Sequence, residues 1–208
     1  MSTLESTLPQ HFQQAINHLP LVAILRGIRP TEIEACATIL YEEGFRLIEV
    51  PLNSPDAWTS ISILARCLPA DALFGAGTVL KLQEVQQLRA LKARLLVMPH
   101  TDVNLIAAAN AGAQDDERML CMPGVSTVSE AMAAWNAGAT ALKMYPAEMI
   151  NPAAFKAMRT VLPKQALLFP VGGIAAHNMR AYRQAGADGA GLGGSLYRAG
   201  MSLEELQL

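Results

Sequence analysis

Short apolar runs punctuate the chain at nearly regular intervals. They are Leu21–Leu25, Leu47–Val50, Ala72–Ala76, Leu95–Met98, Met119–Met122, Thr140–Met144, Ala166–Phe169 and Ala187–Ala190. Their starts recur roughly every two dozen residues, the length of one strand, one loop and one helix. Each run is apolar almost throughout rather than alternating, as expected of parallel strands covered on both faces. The stretches between them have apolar residues at helical spacing. Thr31-Glu32-Ile33-Glu34 reads as a capped helix start, with Thr31 as the cap, and Ser126 or Thr127 followed by Glu130 reads the same way. Gly44, Gly112, Gly138 and Gly186 each close a helical stretch just before the next run, where a left-handed residue lets the chain turn back. Residues 10–18 form a short helix ahead of the first run. Eight such units predict a (β/α)₈ TIM barrel with a short N-terminal helix and a short final helix, since only Gly191–Leu208 follow the last run. An open doubly wound sheet is the alternative, but Arg26-Gly27-Ile28-Arg29-Pro30 after the first run is no dinucleotide fingerprint.

Composition narrows this picture. The chain has 208 residues, 51% hydrophobic and 16% charged, enough for one well-filled domain spanning 1–208. The net charge of −2 and 5% aromatic content argue against nucleic acid or a membrane surface as partner. The chain starts without a basic segment leading into an apolar one, Glu5 coming early, and no apolar stretch reaches the length of a membrane span, so the expected location is the cytoplasm. Cys36, Cys67 and Cys121 are scattered, as are His11, His18, His100 and His177, which suggests reduced thiols and no metal site. The acidic stretch Ala113–Arg118 reads as a solvated loop or helix end.

Candidate chemistry lies where barrels place it, at the C-terminal ends of strands. Arg26, Glu49 and Lys143 all fall there. Strand alternation puts them on the same side as Ile24, Leu47 and Ala141, while Leu25, Ile48, Val50, Leu142 and Met144 face the helices. Arg26 and Glu49 read equally well as a structural ion pair. Lys143 is different: the other four lysines, Lys81, Lys92, Lys156 and Lys164, lie in helices or loops. Burial and a neighbouring guanidinium would both lower its pKa, and a neutral amine forms a Schiff base with a ketone while a nearby glutamate moves protons. Two glycine-rich loops, Val171-Gly172-Gly173 and Gly191-Leu192-Gly193-Gly194-Ser195, follow the last two runs, the usual phosphate cradle of this fold, although tight turns alone would also explain them. Thr78, in Gly75-Ala76-Gly77-Thr78, is either a carboxylate ligand or a helix cap.

Leu25-Arg26-Gly27, Glu49-Val50-Pro51-Leu52-Asn53-Ser54-Pro55, Gly75-Ala76-Gly77-Thr78-Val79, Met122-Pro123-Gly124, Leu142-Lys143-Met144-Tyr145-Pro146-Ala147, Phe169-Pro170-Val171-Gly172-Gly173 and Gly191-Leu192-Gly193 together resemble one family. It is that of the 2-keto-3-deoxy-6-phosphogluconate and 2-keto-3-deoxy-6-phosphogalactonate aldolases, and the likeness runs from about Leu19 to Gly200. The resemblance implies a Schiff-base aldolase, commonly a homotrimer, without cofactor or metal. Its substrate would be a phosphorylated 2-keto-3-deoxy sugar acid, cleaved to pyruvate and D-glyceraldehyde 3-phosphate. Lys143 would be the Schiff-base lysine and Glu49 the acid–base group. Arg26, Thr78 and Pro99 would stand near the pyruvate end, and Gly172, Gly173, Gly193, Gly194 and Ser195 near the phosphate. Val171 before Gly172, and the Val50–Pro55 segment with Asn53, resemble the galactonate branch, which makes Val171 and Asn53 the candidate specificity residues. His100 and Tyr145 depart from the pattern, and Gly194-Ser195 resembles the gluconate branch. A gluconate-type aldolase and a non-catalytic phosphate-binding barrel are the alternatives.

Overall fold

The computed structural model describes residues 10–111 and 118–206. Strands and helices alternate from the start: α1 (Gln10–His18), β1 (Leu21–Ile24), α2 (Ile33–Glu42), β2 (Leu47–Pro51), α3 (Ala57–Cys67), β3 (Leu73–Gly77), α4 (Leu82–Ala90), β4 (Leu95–Val97) and α5 (Val103–Asn110). Then come β5 (Leu120–Met122), β6 (Gly124–Val125), α6 (Val128–Asn136), β7 (Ala141–Met144), α7 (Pro152–Val161), β8 (Leu167–Pro170), α8 (Ala176–Gln184) and β9 (Ala190–Leu192). All strand pairs are parallel.

The expected closed eight-stranded barrel is not what forms. The strands make a six-stranded sheet, in the order β5-β4-β3-β2-β1-β9, and a separate three-stranded sheet, β6-β7-β8. Two prolines and one aspartate account for the breaks. Pro123 splits the fifth run into β5 and β6, and having no N–H it cannot continue the ladder. At the other seam β8 ends on Pro170, and the Leu168 N–H donates to the Asp188 carboxylate at 2.8 Å instead of to a strand carbonyl. Only a one-residue bridge, Val171 to Gly191, links the two sheets there. The last strand is correspondingly displaced from the run Ala187–Ala190 to Ala190–Leu192, so Gly191 lies in a strand rather than a loop. A side chain on Gly191 would come within 2.7 Å of the Val171 methyl. The short final helix is also absent from the described residues, where turns follow β9 up to Leu206.

Alternation of side chains holds on both sides of the strands. Leu25, Ile48, Val50, Leu142 and Met144 pack under the helices in the larger apolar cluster. Val22, Ile24, Leu47, Leu73, Leu95, Leu120, Ala141 and Phe169 form a second, inner cluster. Phe12 and Ala15 of α1 belong to it, so the helix expected ahead of the first strand covers the interior where the strands begin. A fully buried phenylalanine there contributes about 1.5–3 kcal/mol. Gly44, Gly138 and Gly186 have φ of 98°, 93° and 100°, the left-handed helix ends expected of them, whereas Gly112 and Ala113–Glu117 of the acidic stretch lie outside the described residues. Thr127 caps α6: its hydroxyl accepts from the Glu130 N–H while Glu130 accepts from the Thr127 N–H. Thr31 does not cap α2. That helix starts at Ile33, and the Arg29 N–H is held by Glu32. Cys36, Cys67 and Cys121 are unpaired. No described helix is long and apolar enough to cross a membrane.

Candidate active site

Register places the inward charges in one layer. Glu49 of β2 pairs with Ile24 on one side and Gly75 on the other, and Lys143 of β7 lies opposite Gly124 and Phe169. Glu49 is 2% exposed and Lys143 5% exposed. Both line a narrow recess with Val22, Ile24, Val97, Met122, Val171 and Gly191, so the two groups meet in an otherwise apolar chamber. Burial pushes the Glu49 carboxyl up to about 7, with the opposing pull of Lys143, Arg26 and the Gly77 N–H too weak to restore an ordinary value. Burial likewise lowers the pKa of Lys143; Glu49 opposes this and Arg26 adds to it. The Nζ of Lys143 stands 4.5 Å from the centre of the Tyr145 ring.

Glu49 Oε2 is buried and has no hydrogen-bond partner among the described residues. Leaving such an atom unpaired costs about 1–3 kcal/mol. Its seat is made by Gly77, the last residue of β3: any side chain there would overlap the Glu49 carboxyl. Gly75, two residues earlier, is required by the Leu95 carbonyl instead, since a methyl group would overlap it. The glycines of Gly75-Ala76-Gly77 thus serve different ends, one the approach of strands and one the packing of a carboxyl.

Above the recess opens a cavity of about 450 Å³. It brings together Lys143, Arg26, Val171, Gly172, Gly173, Gly193, Gly194 and Ser195. Gly172 and Gly173 have φ of 106° and 63°, so only glycine fits there without strain. Space is open where a side chain on Gly194 would project, and the Ser195 hydroxyl donates to the Ile174 carbonyl at 2.6 Å, tying the two glycine loops together.

Three of the expected residues are set apart from the cavity wall. Thr78 follows β3 with φ 57°, a left-handed conformation that costs a β-branched residue on the order of 1–3 kcal/mol. Pro99 follows β4 and packs where a side chain on Gly124 would otherwise sit. Asn53 accepts a hydrogen bond from Arg26 Nη1 at 3.1 Å, and Ser54 Oγ accepts the Gly27 N–H at 2.9 Å, so the β2–α3 loop holds the loop that carries Arg26. Arg26 forms no ion pair with Glu49; its guanidinium is exposed and turned to Asn53. Glu148 lines the cavity too, and sequence reasoning missed it. The signal available was an acid five residues beyond Lys143, on the loop at the C-terminal end of the same strand.

The site thus sets a buried amine and carboxyl at the strand ends, beneath a glycine-lined cavity. The family model described as KDPG and KHG aldolase matches residues 12–207. The chain is therefore an aldolase, a carbon–carbon lyase. It belongs to the KDPG and KHG aldolase family. It is 43% identical over 189 residues to the probable 2-dehydro-3-deoxy-6-phosphogalactonate aldolase of Rhizobium meliloti, covering 90% of this chain and 86% of that one. It is 41% identical over 186 residues to the 2-dehydro-3-deoxy-6-phosphogalactonate aldolase of Escherichia coli, covering 89% and 88%. A solved structure described as native KDPGal superposes with a TM-score of 0.86 at 41% identity, covering 91% of this chain and 89% of that chain.

Proposed function

We propose that the protein cleaves 2-dehydro-3-deoxy-6-phosphogalactonate to pyruvate and D-glyceraldehyde 3-phosphate through a Schiff base on Lys143, as a step of galactonate breakdown. The observation that carries the mechanism is the burial of Lys143 beside Glu49, with the pKa of the amine lowered. Neutral Nζ attacks the C2 ketone, and loss of water gives an iminium. Glu49 takes the proton of the C4 hydroxyl as the C3–C4 bond breaks, the bonding electrons flowing into the iminium to form an enamine. The aldehyde leaves, the enamine is protonated at C3, and hydrolysis returns pyruvate and the free lysine. A carboxyl with a pKa of about 7 is suited to both taking and returning a proton near neutral pH. Arg26, held by Asn53, supplies positive charge for the carboxylate end, and Thr78 and Pro99, which follow β3 and β4 outside the cavity wall, are assigned to the same end. The glycine loops Gly172-Gly173 and Gly193-Gly194-Ser195 receive the phosphate. The proposed setting is the cytoplasm, where free thiols stay reduced.

Choice of the galactonate epimer is assigned to Val171, which lines both the cavity and the recess beneath it. The test is kcat/KM on the two epimeric phosphorylated acids. The galactonate epimer is expected to win, and Val171→Thr to shift the ratio toward the gluconate epimer by about 5- to 100-fold, the range of one hydroxyl contact. A wild-type preference for the gluconate epimer would overturn the assignment. For the assembly we propose a homotrimer, supported by the exposed apolar side chains Leu80, Leu82, Val103 and Val128, which lie at or just before the starts of α4, α5 and α6. Light scattering at micromolar concentration is expected to give three times the mass of the chain; a monomer mass would refute it.

A further inference from the structure

Glu148 is the one acidic side chain among the described residues lining the main cavity. Its position is imposed by its neighbours. The adjacent Ala147 donates its N–H to the Val171 carbonyl at 2.8 Å and accepts the buried Tyr182 hydroxyl at 2.8 Å. This double anchor ties the β7–α7 loop to the end of β8 and turns the Glu148 side chain onto the glycines that follow. A methyl group on Gly172 would overlap Glu148 Oε2, and one on Gly173 would touch Glu148 Cγ at 3.0 Å. A carboxylate thus rests on the loop that, in the function proposed above, receives the phosphate. A carboxyl group in that place opposes the arrival of a phosphate.

We infer that Glu148 competes with the substrate's phosphate for the Gly172–Gly173 loop, holding down affinity for phosphorylated ligands and speeding departure of the phosphorylated aldehyde. Glu148 lies against the loop but is exposed, so its side chain can swing aside when a phosphate arrives. The inference rests on the glycine loop being the phosphate site, and the experiment separates the two. Steady-state cleavage of the phosphorylated sugar acid and its inhibition by inorganic phosphate are measured for the wild-type protein and Glu148→Gln. In the variant, KM and the inhibition constant for phosphate should fall together by about three- to fivefold, the size of one partly exposed charge interaction. The difference should shrink on going from about 20 mM to about 500 mM salt, because the group is open to solvent. An unchanged KM, or a KM that rises because Glu148 holds a substrate hydroxyl, would overturn the inference while leaving the aldolase reading intact. Failure of phosphate to inhibit the wild-type enzyme would remove the glycine loop as its site, and this inference with it.

Discussion

Lys143→Met is expected to lower kcat/KM by about 10⁴- to 10⁶-fold, the range seen when a covalent nucleophile is deleted. The size follows from the site. The other lysines lie elsewhere, Lys81 flanking α4 and Lys156 within α7, and a guanidinium such as that of Arg26 does not serve as an amine nucleophile. Substitution should leave the fold in place. Lys143 is 5% exposed with its pKa lowered by burial, so an unbranched apolar side chain of similar length relieves a desolvation cost. Thermal unfolding of the variant is therefore expected at or above the wild-type midpoint. Borohydride added with pyruvate should reduce the iminium on the wild-type protein and leave a pyruvate-derived adduct on Lys143, located by mass spectrometry of peptides. A folded wild-type protein whose Lys143 stays unmodified would overturn the Schiff-base mechanism.

Much of this site was legible in the sequence, because strand parity is a local property. Once Leu47 and Val50 bound one strand and Thr140 and Met144 another, the side on which Glu49 and Lys143 emerge is decided by a period of two. Ile24, Leu47 and Ala141 do lie in the inner cluster with them. The capping box at Thr127 and the left-handed Gly44, Gly138 and Gly186 are local in the same sense. What could not be read depends on partners far along the chain. The break between the sheets needs Asp188 to take the Leu168 N–H, a contact across 20 residues. The last strand contains Gly191, which looks like a loop residue until Val171 is seen to fill the space a side chain would need. Asn53 turned out to hold Arg26, a bond across 27 residues, and Glu148 gave no periodic signal because it sits on an irregular loop.

Glu49→Gln should separate activity from stability. Loss of a positioned acid–base group is expected to lower kcat by about 10²- to 10⁴-fold. The same change should stabilise the protein relative to wild type as pH rises. The Glu49 pKa is raised in the folded state from 4.5 to about 7, so folding takes up a proton over that interval. Its contribution to stability is fully present below about 4.5 and is lost as pH climbs through about 7. Glutamine cannot titrate and is spared this loss. Melting curves of both proteins at pH 5 and pH 8 should therefore show the variant gaining on the wild type by as much as about 3 kcal/mol, because each tenfold difference in proton affinity between the folded and unfolded chain is worth about 1.4 kcal/mol. Gly77→Ala reaches the same carboxyl by another route, since the added methyl overlaps it, and should lower kcat without abolishing the pH dependence of stability. If the difference in stability between wild type and Glu49→Gln stays constant from pH 5 to pH 8, Glu49 titrates as an ordinary carboxylate. The chamber beside Lys143 would then not hold the proton that the cleavage step requires.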